Sequence, residues 1–391
     1  MQPIVIIGAG MAAYGLAREL RKIDKNTPLT IVTADDGGAY AKPMLSNAFA
    51  LNKQAHQLVS ANAVQMATQL AADIRTGTRV TAIDRAARVV RTDSGDIPYD
   101  RLVLALGAQA IRLPLAGNAA ARVLSINHLD DYAVLREQLA ALDRPARVTI
   151  LGAGLIGCEF AEDLSAAGHA VTLVDPNQRP LSALAAPSLS AGLVAAWRER
   201  AITLELDTTA SAVDVADPGT GTGGALVVSL ANGKRIEADI VLSAVGLRPA
   251  IALAQEAQLV CARGIVVDGY GRTSDEAIYA LGDCAEYRTA SGSAVLPYVA
   301  PLLSAARAIA ATLAGTPTAI DLKTDAVIVK TPSYKLALAP PAAGSSGSWI
   351  DEHDGERTIA RYVDEQGALR GFGLSQHTPA LRQALLAALA S

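Results

Sequence analysis

Cysteine is scarce in this chain. The 391 residues hold three, Cys158, Cys261 and Cys284, and no two of them form a Cys-x-x-Cys pair. That pattern argues against a thiol-ligated metal centre and against a disulfide-stapled secreted scaffold, so no metal site is expected. Aromatic residues are also few, at 4%. Positive charge is not in excess: the formal net charge is −4, which argues against a general nucleic-acid binder, because such a protein needs a basic surface to neutralise phosphates. Long uninterrupted apolar runs are missing too. The best candidate, Val295 to Gly315, is broken by Pro301 and Arg307, so no membrane span is expected. The N-terminus enters an apolar run at once, without a basic segment or cleavage site. The expectation is a soluble, cytoplasmic protein.

What is present is a long, alanine-rich chain, 51% hydrophobic, large enough for two or three domains. Its organising stretch is Met1 to Arg18. Ile4-Val5-Ile6-Ile7 reads as a buried strand, Gly8-Ala9-Gly10-Met11-Ala12-Ala13 as a glycine turn, and the rest as the start of a helix. Gly8 allows the tight turn. Gly10 lets backbone approach a pyrophosphate, and the small Ala13 lets helix and strand pack closely. The helix N-terminus then turns N–H groups toward the anion. Alone, this motif is a weak sign. It recurs, however: Arg147-Val148-Thr149-Ile150-Leu151 leads into Gly152-Ala153-Gly154-Leu155-Ile156-Gly157. Two such turns point to two dinucleotides and to electron transfer between them.

The repeat extends further. Asp100-Arg101-Leu102-Val103-Leu104-Ala105-Leu106-Gly107 and Asp239-Ile240-Val241-Leu242-Ser243-Ala244-Val245-Gly246 each read as an acid, a buried strand and a glycine, which implies two similar nucleotide-binding halves. The strand after each glycine turn should end in an acid for ribose hydroxyls. In the second half that acid is Asp175, which favours NAD over NADP, although Arg179 nearby is suited to a phosphate. In the first half the position is Thr33, followed by Ala34, with Asp35 and Asp36 slightly late. Lys42 lies in the loop that follows. It is either a solvated loop lysine or an ammonium beside a cofactor ring. Asp283, after Gly282, is either a helix N-cap or an acceptor for a sugar-like hydroxyl. Pro301 to Leu313 reads as a helix aimed at the same site. Asp217 to Gly224 reads as a hairpin loop without chemistry. From about Ile320 short strands appear at 326–330, 335–338 and 358–363, and a last helix runs from about Pro379 to Ala390.

The order of the two glycine loops, Gly246-Leu247-Arg248-Pro249 and Leu281-Gly282-Asp283-Cys284-Ala285 resembles the flavoprotein reductases with two dinucleotide-binding domains, over nearly the whole chain. More narrowly, Thr33-Ala34-Asp35-Asp36-Gly37, Tyr40-Ala41-Lys42-Pro43-Met44-Leu45-Ser46 and Leu151 to Ala161 resemble the rubredoxin–NAD(+) reductases. The resemblance implies an α/β fold of two Rossmann-like, glutathione-reductase-like domains with a small C-terminal α+β domain. The FAD-binding domain would comprise residues 1–110 and 248–318, the NAD-binding domain 111–247 and the C-terminal domain 319–391.

It also implies roles at matching positions. Ile7, Gly8, Ala9, Gly10, Met11, Ala12, Thr33, Ala34, Lys42, Val80, Gly107, Asp283, Val299 and Lys330 would attend FAD. Gly152, Gly154, Gly157, Asp175 and Gly246 would attend NADH. Glu159 would face the flavin and pair with Lys42, these two being the catalytic positions, although Glu159 also reads as an ordinary helix residue.

Glutathione-reductase-like relatives need two cysteines in the first domain, and none precedes Cys158. Oxidase-like relatives carry one in the loop after the second strand, and residues 42–47 have none. Cys158 and Cys284 read as packing residues. Electrons would therefore leave the flavin directly for rubredoxin or a similar small iron–sulfur carrier, met by a basic face for which Lys323, Lys330 and Lys335 are candidates. The alternatives are a ferredoxin reductase of an oxygenase system, a reductase of a nitric-oxide-reducing flavorubredoxin, and an NADH-binding redox sensor.

Overall fold

The apolar runs form parallel strands buried on both faces, as expected where helices cover a sheet. The computed structural model describes residues 3–217, 224–289 and 292–390. The chain divides into two compact units. One comprises Met1–Ala41, His56–Gln109 and Leu247–Lys323, and the other Lys42–Ala55, Ala110–Gly246 and Thr324–Ser391.

The first unit is built on a five-stranded parallel sheet in the order Ile278–Ala280, Arg101–Leu104, Ile4–Ile7, Leu29–Val32, Asp73–Arg75. The central strand pairs Ile4 with Leu29 on one side and with Arg101 on the other. The helix Met11–Ile23 buries Ala13, Tyr14, Leu16, Ala17 and Leu20, one face at helical spacing. Tyr14 donates to the Gly37 carbonyl at 2.5 Å, which ties down the loop after the second strand. The helix Val299–Leu313 approaches at Gly15, where an added Cβ would touch Ala306 and Leu302. This helix starts two residues before the expected Pro301. The first turn tolerates proline because its N–H groups have no intrahelical acceptor.

The second unit holds a four-stranded parallel sheet in the order Ile202–Glu205, Ala170–Val174, Arg147–Leu151, Ile240–Ser243. A three-stranded antiparallel sheet follows, Ala210–Val215, Leu226–Leu230 and Arg235–Ala238. Of the expected loop at 217–224, residues 218–223 lie outside the described residues.

The C-terminal part is a five-stranded antiparallel sheet in the order Val327–Val329, Leu336–Ala339, Leu369–Ser375, Arg357–Val363, Ser348–Asp354, with the helix Pro379–Ala390 packed on it through Leu385. Two of these strands are absent from the sequence reading. Ser348–Asp354 is an exposed edge carrying Asp351, Glu352 and Asp354, and charge on an edge strand discourages stray pairing. Leu369–Ser375 contains Gly371 and Gly373, which read as loop. They are needed because a Cβ at Gly373 would overlap Leu189 and one at Gly371 would crowd Pro341.

Candidate active site

The two glycine turns divide their work in the same way. Gly8 has φ +109°, and a Cβ there would overlap the Ala105 carbonyl. Gly152 has φ +104°, and its Cβ would stand 2.8 Å from the Ala244 oxygen. These two glycines are demanded by the chain itself. Gly10 and Gly154 differ: each is the N-cap of a helix without a side-chain cap, and a Cβ there meets nothing within 4 Å. Their open space lies in front of unscreened helix N–H groups, as a pyrophosphate requires. Gly157 serves packing, since its Cβ would overlap the Gly152 carbonyl.

In the first unit, Ile7 and Ala9 are buried under the turn, while Met11 and Ala12 are half-buried at its helix. Thr33 is buried, and its hydroxyl donates to Asp35 Oδ1 at 2.6 Å. The same oxygen accepts the Gly37 amide at 3.0 Å. Asp35 is thus drawn back onto its own loop, and exposed Ala34 presents no acid. Val80 opens the strand Val80–Asp84, and Gly107, at φ +67°, accepts the Ala250 amide. Asp283 sits in the single 3-10 turn Gly282–Cys284, capped by Leu281. No α-helix starts there, so the N-cap alternative does not hold. The helix Val299–Leu313 begins without a side-chain cap and without an acid in its first turn, so its own first turn supplies no anion to its positive end.

In the second unit, Asp175 is buried at the end of its strand. Its Oδ2 accepts the Ala153 amide at 2.6 Å, and its Oδ1 accepts the backbone and side-chain amides of Asn177 at 2.8 and 2.7 Å. The carboxylate is held in place by three donors, with about one lone-pair site to spare. Arg179 donates through Nη2 to the carbonyls of Ser182 and Ala185. Its Nε, the Thr208 hydroxyl and the Ser243 hydroxyl are buried without partners among the described residues. Ser243 ends its strand, and Arg179 and Thr208 follow the carboxyl ends of theirs, where α/β folds bind ligands. These orphan polar atoms and the open cradle at Gly154 fit a dinucleotide. Gly246, at φ +111°, accepts the Ile111 amide nearby.

The helix Leu155–Ala166, which leaves the second turn, carries Glu159, Glu162 and Asp163, only 1%, 2% and 6% exposed. Their spacing places them on one face. Glu159 accepts Ser46 Oγ at 2.6 Å, the Lys330 amide at 3.0 Å and the Lys330 ammonium at 2.8 Å. Glu162 accepts the Trp197 indole N–H at 2.6 Å and the amide and hydroxyl of Ser333. Asp163 accepts the amides of Phe49 and Ala50 at 2.8 and 2.9 Å. These bonds hold residues 46–50 against this helix within the second compact unit. The Lys330 ammonium joins Ser46 on Glu159, the carboxylate for which Lys42 is the expected partner. Lys42 opens the 3-10 turn Lys42–Ser46, four residues before Ser46.

Two of the three thiols, Cys158 and Cys284, are buried and inert. Cys158 donates to the Ala153 carbonyl, and burial holds its pKa far above the ordinary thiol value. Cys284 donates to the carbonyls of Leu104 and Leu281, and burial pushes its pKa up to about 11. Neither is a thiolate at neutral pH.

The pyridine nucleotide-disulphide oxidoreductase family matches residues 2–346, and the rubredoxin binding C-terminal domain matches residues 319–389. A rubredoxin-NAD(+) reductase of Alcanivorax borkumensis is 44% identical over 96% of this chain and 95% of its own length. The chain belongs to the rubredoxin-NAD(+) reductase family of pyridine nucleotide-disulphide oxidoreductases. A nitric oxide reductase FlRd-NAD(+) reductase of Aeromonas hydrophila is 37% identical over 97% of this chain and 96% of its own length. The crystal structure of the covalent putidaredoxin reductase–putidaredoxin complex matches 100% of this chain and 93% of that chain, at 26% identity and a TM-score of 0.88.

For a member of this reductase family, the residues missed in the sequence are Ser46, Glu162 and Asp163. A signal for the last two was present: Glu159-Phe160-Ala161-Glu162-Asp163-Leu164 puts three acids into a helix that otherwise reads as core.

Proposed function

We infer that this chain is an FAD-dependent NADH:rubredoxin reductase. The observation that carries this is the pairing of two complete dinucleotide turns with a C-terminal region that matches a rubredoxin-binding domain. The inert thiols agree, because they offer no internal dithiol relay. FAD, when bound, takes an electron pair as hydride from NADH and yields electrons singly to a one-electron carrier.

The chain's own residues supply binding and orientation. Gly8, Gly10 and the start of the helix Met11–Ile23 cradle the FAD pyrophosphate. Asp283 accepts from a flavin side-chain hydroxyl in this reading, and the helix Val299–Leu313 supports negative charge on the ring. Gly152, Gly154 and Asp175 hold NADH, with Asp175 repelling a 2′-phosphate. Arg179 turns its Nη2 onto two carbonyls, which supports NADH over NADPH. In this reading Glu159, Lys330 and Lys42 orient the flavin and the nicotinamide. The first unit serves as the FAD half. The second carries the NADH-binding part and the carrier domain.

Of the three lysines named for the carrier face, Lys330 is committed to Glu159, Ser46 and the Pro43 carbonyl. Lys323 is exposed beside Asp321 at 3.0 Å, and Lys335 is exposed. No helix among the described residues is long and apolar enough to cross a membrane, and the cytoplasm is the compartment we assign.

The test is anaerobic mixing with NADH and oxidised rubredoxin, following loss of the ferric–thiolate absorbance. Rapid bleaching that is faster with NADH than with NADPH and slows with added salt is the expected result. Flavin reduction without rubredoxin reduction would move the assignment to flavorubredoxin. The Aeromonas relative, matching over nearly the full chain, makes that the second reading. Slow reduction coupled to altered partner binding would instead indicate a sensor.

A further inference from the structure

Of the three buried acids on the helix Leu155–Ala166, Glu159 belongs to the flavin site already described and Glu162 ties Ser333 to Trp197. Asp163 reaches a different target. Its two oxygens each take one backbone amide, from the consecutive residues Phe49 and Ala50. It therefore grips main chain, just beyond the 3-10 turn Lys42–Ser46. The Phe49 side chain is seated as well, with its ring 4.8 Å from that of Tyr132 and the Arg136 guanidinium 5.2 Å above it. Upstream, Ser46 donates to Glu159 and receives Lys330. The turn that presents Lys42 is thus held just downstream by Asp163 and within itself at Ser46.

Burial makes charge at this position unfavourable, and it pushes the Asp163 carboxyl above its ordinary pKa against the pull of the loop amides and Lys330. An asparagine would avoid that penalty. It has one acceptor oxygen, however, and would turn its NH2 against the second amide. A carboxylate takes both, and an unsatisfied buried amide is expensive.

We propose that Asp163 is a positioning residue of the flavin site: its grip on the Phe49 and Ala50 amides fixes the Lys42–Ser46 turn, which keeps Ser46 on Glu159 and sets where Lys42 is presented. This rests on the reading of the chain as an FAD-dependent NADH reductase. Asp163 acts through the loop and touches neither cofactor nor substrate in this scheme.

The test uses the full-length flavoprotein and two variants. Asp163→Asn removes one acceptor. Ala50→Pro removes one donor and leaves the carboxylate. Hydrogen exchange of residues 46–52 is followed by mass spectrometry before NADH is added. Flavin bleaching by NADH is then followed anaerobically by stopped flow, alongside urea unfolding. In D163N, exchange in this segment should rise about tenfold or more. The limiting bleaching rate should fall about tenfold, while the NADH concentration giving half that rate stays unchanged, because the Gly152–Gly157 turn is not disturbed. A50P should shift both readouts the same way. A merely structural role would lower the urea midpoint and leave the limiting rate alone.

Unchanged exchange, or freer exchange with an unchanged limiting rate, would overturn the proposal. If D163N does not fold, A50P decides by the same criteria. If NADH fails to bleach the parent flavin, the reductase reading falls, and the exchange measurement still decides whether Asp163 grips the loop.

Discussion

The Glu159 carboxylate and the Lys330 ammonium meet at 2.8 Å, with the glutamate side chain 2% exposed and the lysine 26%. They are 171 residues apart in sequence, and the pair joins the helix after the second glycine turn to the start of the C-terminal sheet. Removing one member of a buried pair strands the other charge, at a cost of several kcal/mol. Lys330→Met strands the buried Glu159 carboxylate, which keeps Ser46 and the Lys330 amide as donors, so the protein should be destabilised by about 2 kcal/mol, less than a pair without other donors would lose. Glu159→Gln in the same chain should restore much of that loss, because no charge is then stranded. Urea unfolding of both single variants and the double variant measures the coupling. Additive effects would show that the contact contributes nothing of its own.

The two kinds of glycine give a second prediction. Gly157→Ala forces a Cβ into the Gly152 carbonyl, and overpacking of this kind costs about 1–3 kcal/mol or more. Gly10→Ala meets open space in the protein and should change stability by no more than about 1 kcal/mol, the difference between glycine and alanine at an N-cap. Its effect should fall on the cofactor, as a large loss of bound FAD read from the flavin-to-protein absorbance ratio. A Gly10→Ala protein that keeps its full complement of flavin would remove Gly10 from the pyrophosphate site.

These glycines were legible in the sequence because strand, turn and helix are contiguous there and each residue type has a local reason. Asp175 was legible for the same reason, as the last step of a strand whose start is marked. The carboxylate contacts were not. Ser46 lies 113 residues from Glu159, and Phe49 lies 114 from Asp163. No local pattern announces a partner at that distance. Lys330 was named for FAD by resemblance and for the carrier face as one of the lysines of the C-terminal region. Its fold-determined neighbour, Glu159, is what removes it from the free cations. The edge strand Ser348–Asp354 was missed because its exposed charges erase the apolar alternation on which strand reading depends.

The acid before the repeated strand gives a third prediction. In the first half Asp100 is exposed beside Arg101 and Arg88. In the second half Asp239 is 4% exposed and accepts from Arg144 at 2.8 Å and Arg147 at 3.0 Å. Hydrogen bonds from Arg144, and then from Arg147, hold its carboxyl far below the ordinary value. A carboxyl whose folded pKa is depressed stabilises the fold above its unfolded pKa of about 3.9, and that contribution fades as pH falls toward the lower folded value. Asp239→Asn should therefore be destabilised by about 2 kcal/mol at pH 7. The gap to the parent should close by about 1 kcal/mol by pH 3. A gap that stays constant over that range would show that the arginines do not hold the ionised form.

Asp175 carries the coenzyme prediction. Its carboxylate fixes the Ala153 amide in the glycine turn, and in the proposed reading it also accepts from the ribose. Asp175→Asn keeps an acceptor for one of its present donors and removes the charge. The kcat/KM for NADH should fall roughly ten- to hundredfold, the range for losing a charge-assisted hydrogen bond. NADPH should lose less, because the repulsion of its 2′-phosphate disappears with the charge. The ratio of the two kcat/KM values is the decisive measurement, since damage to the turn alone would lower both coenzymes equally. A ratio equal to that of the parent would confine Asp175 to holding the turn. Selectivity would then have to come from elsewhere at this sheet end, where the Arg179 Nε and the Thr208 hydroxyl have no partner among the described residues.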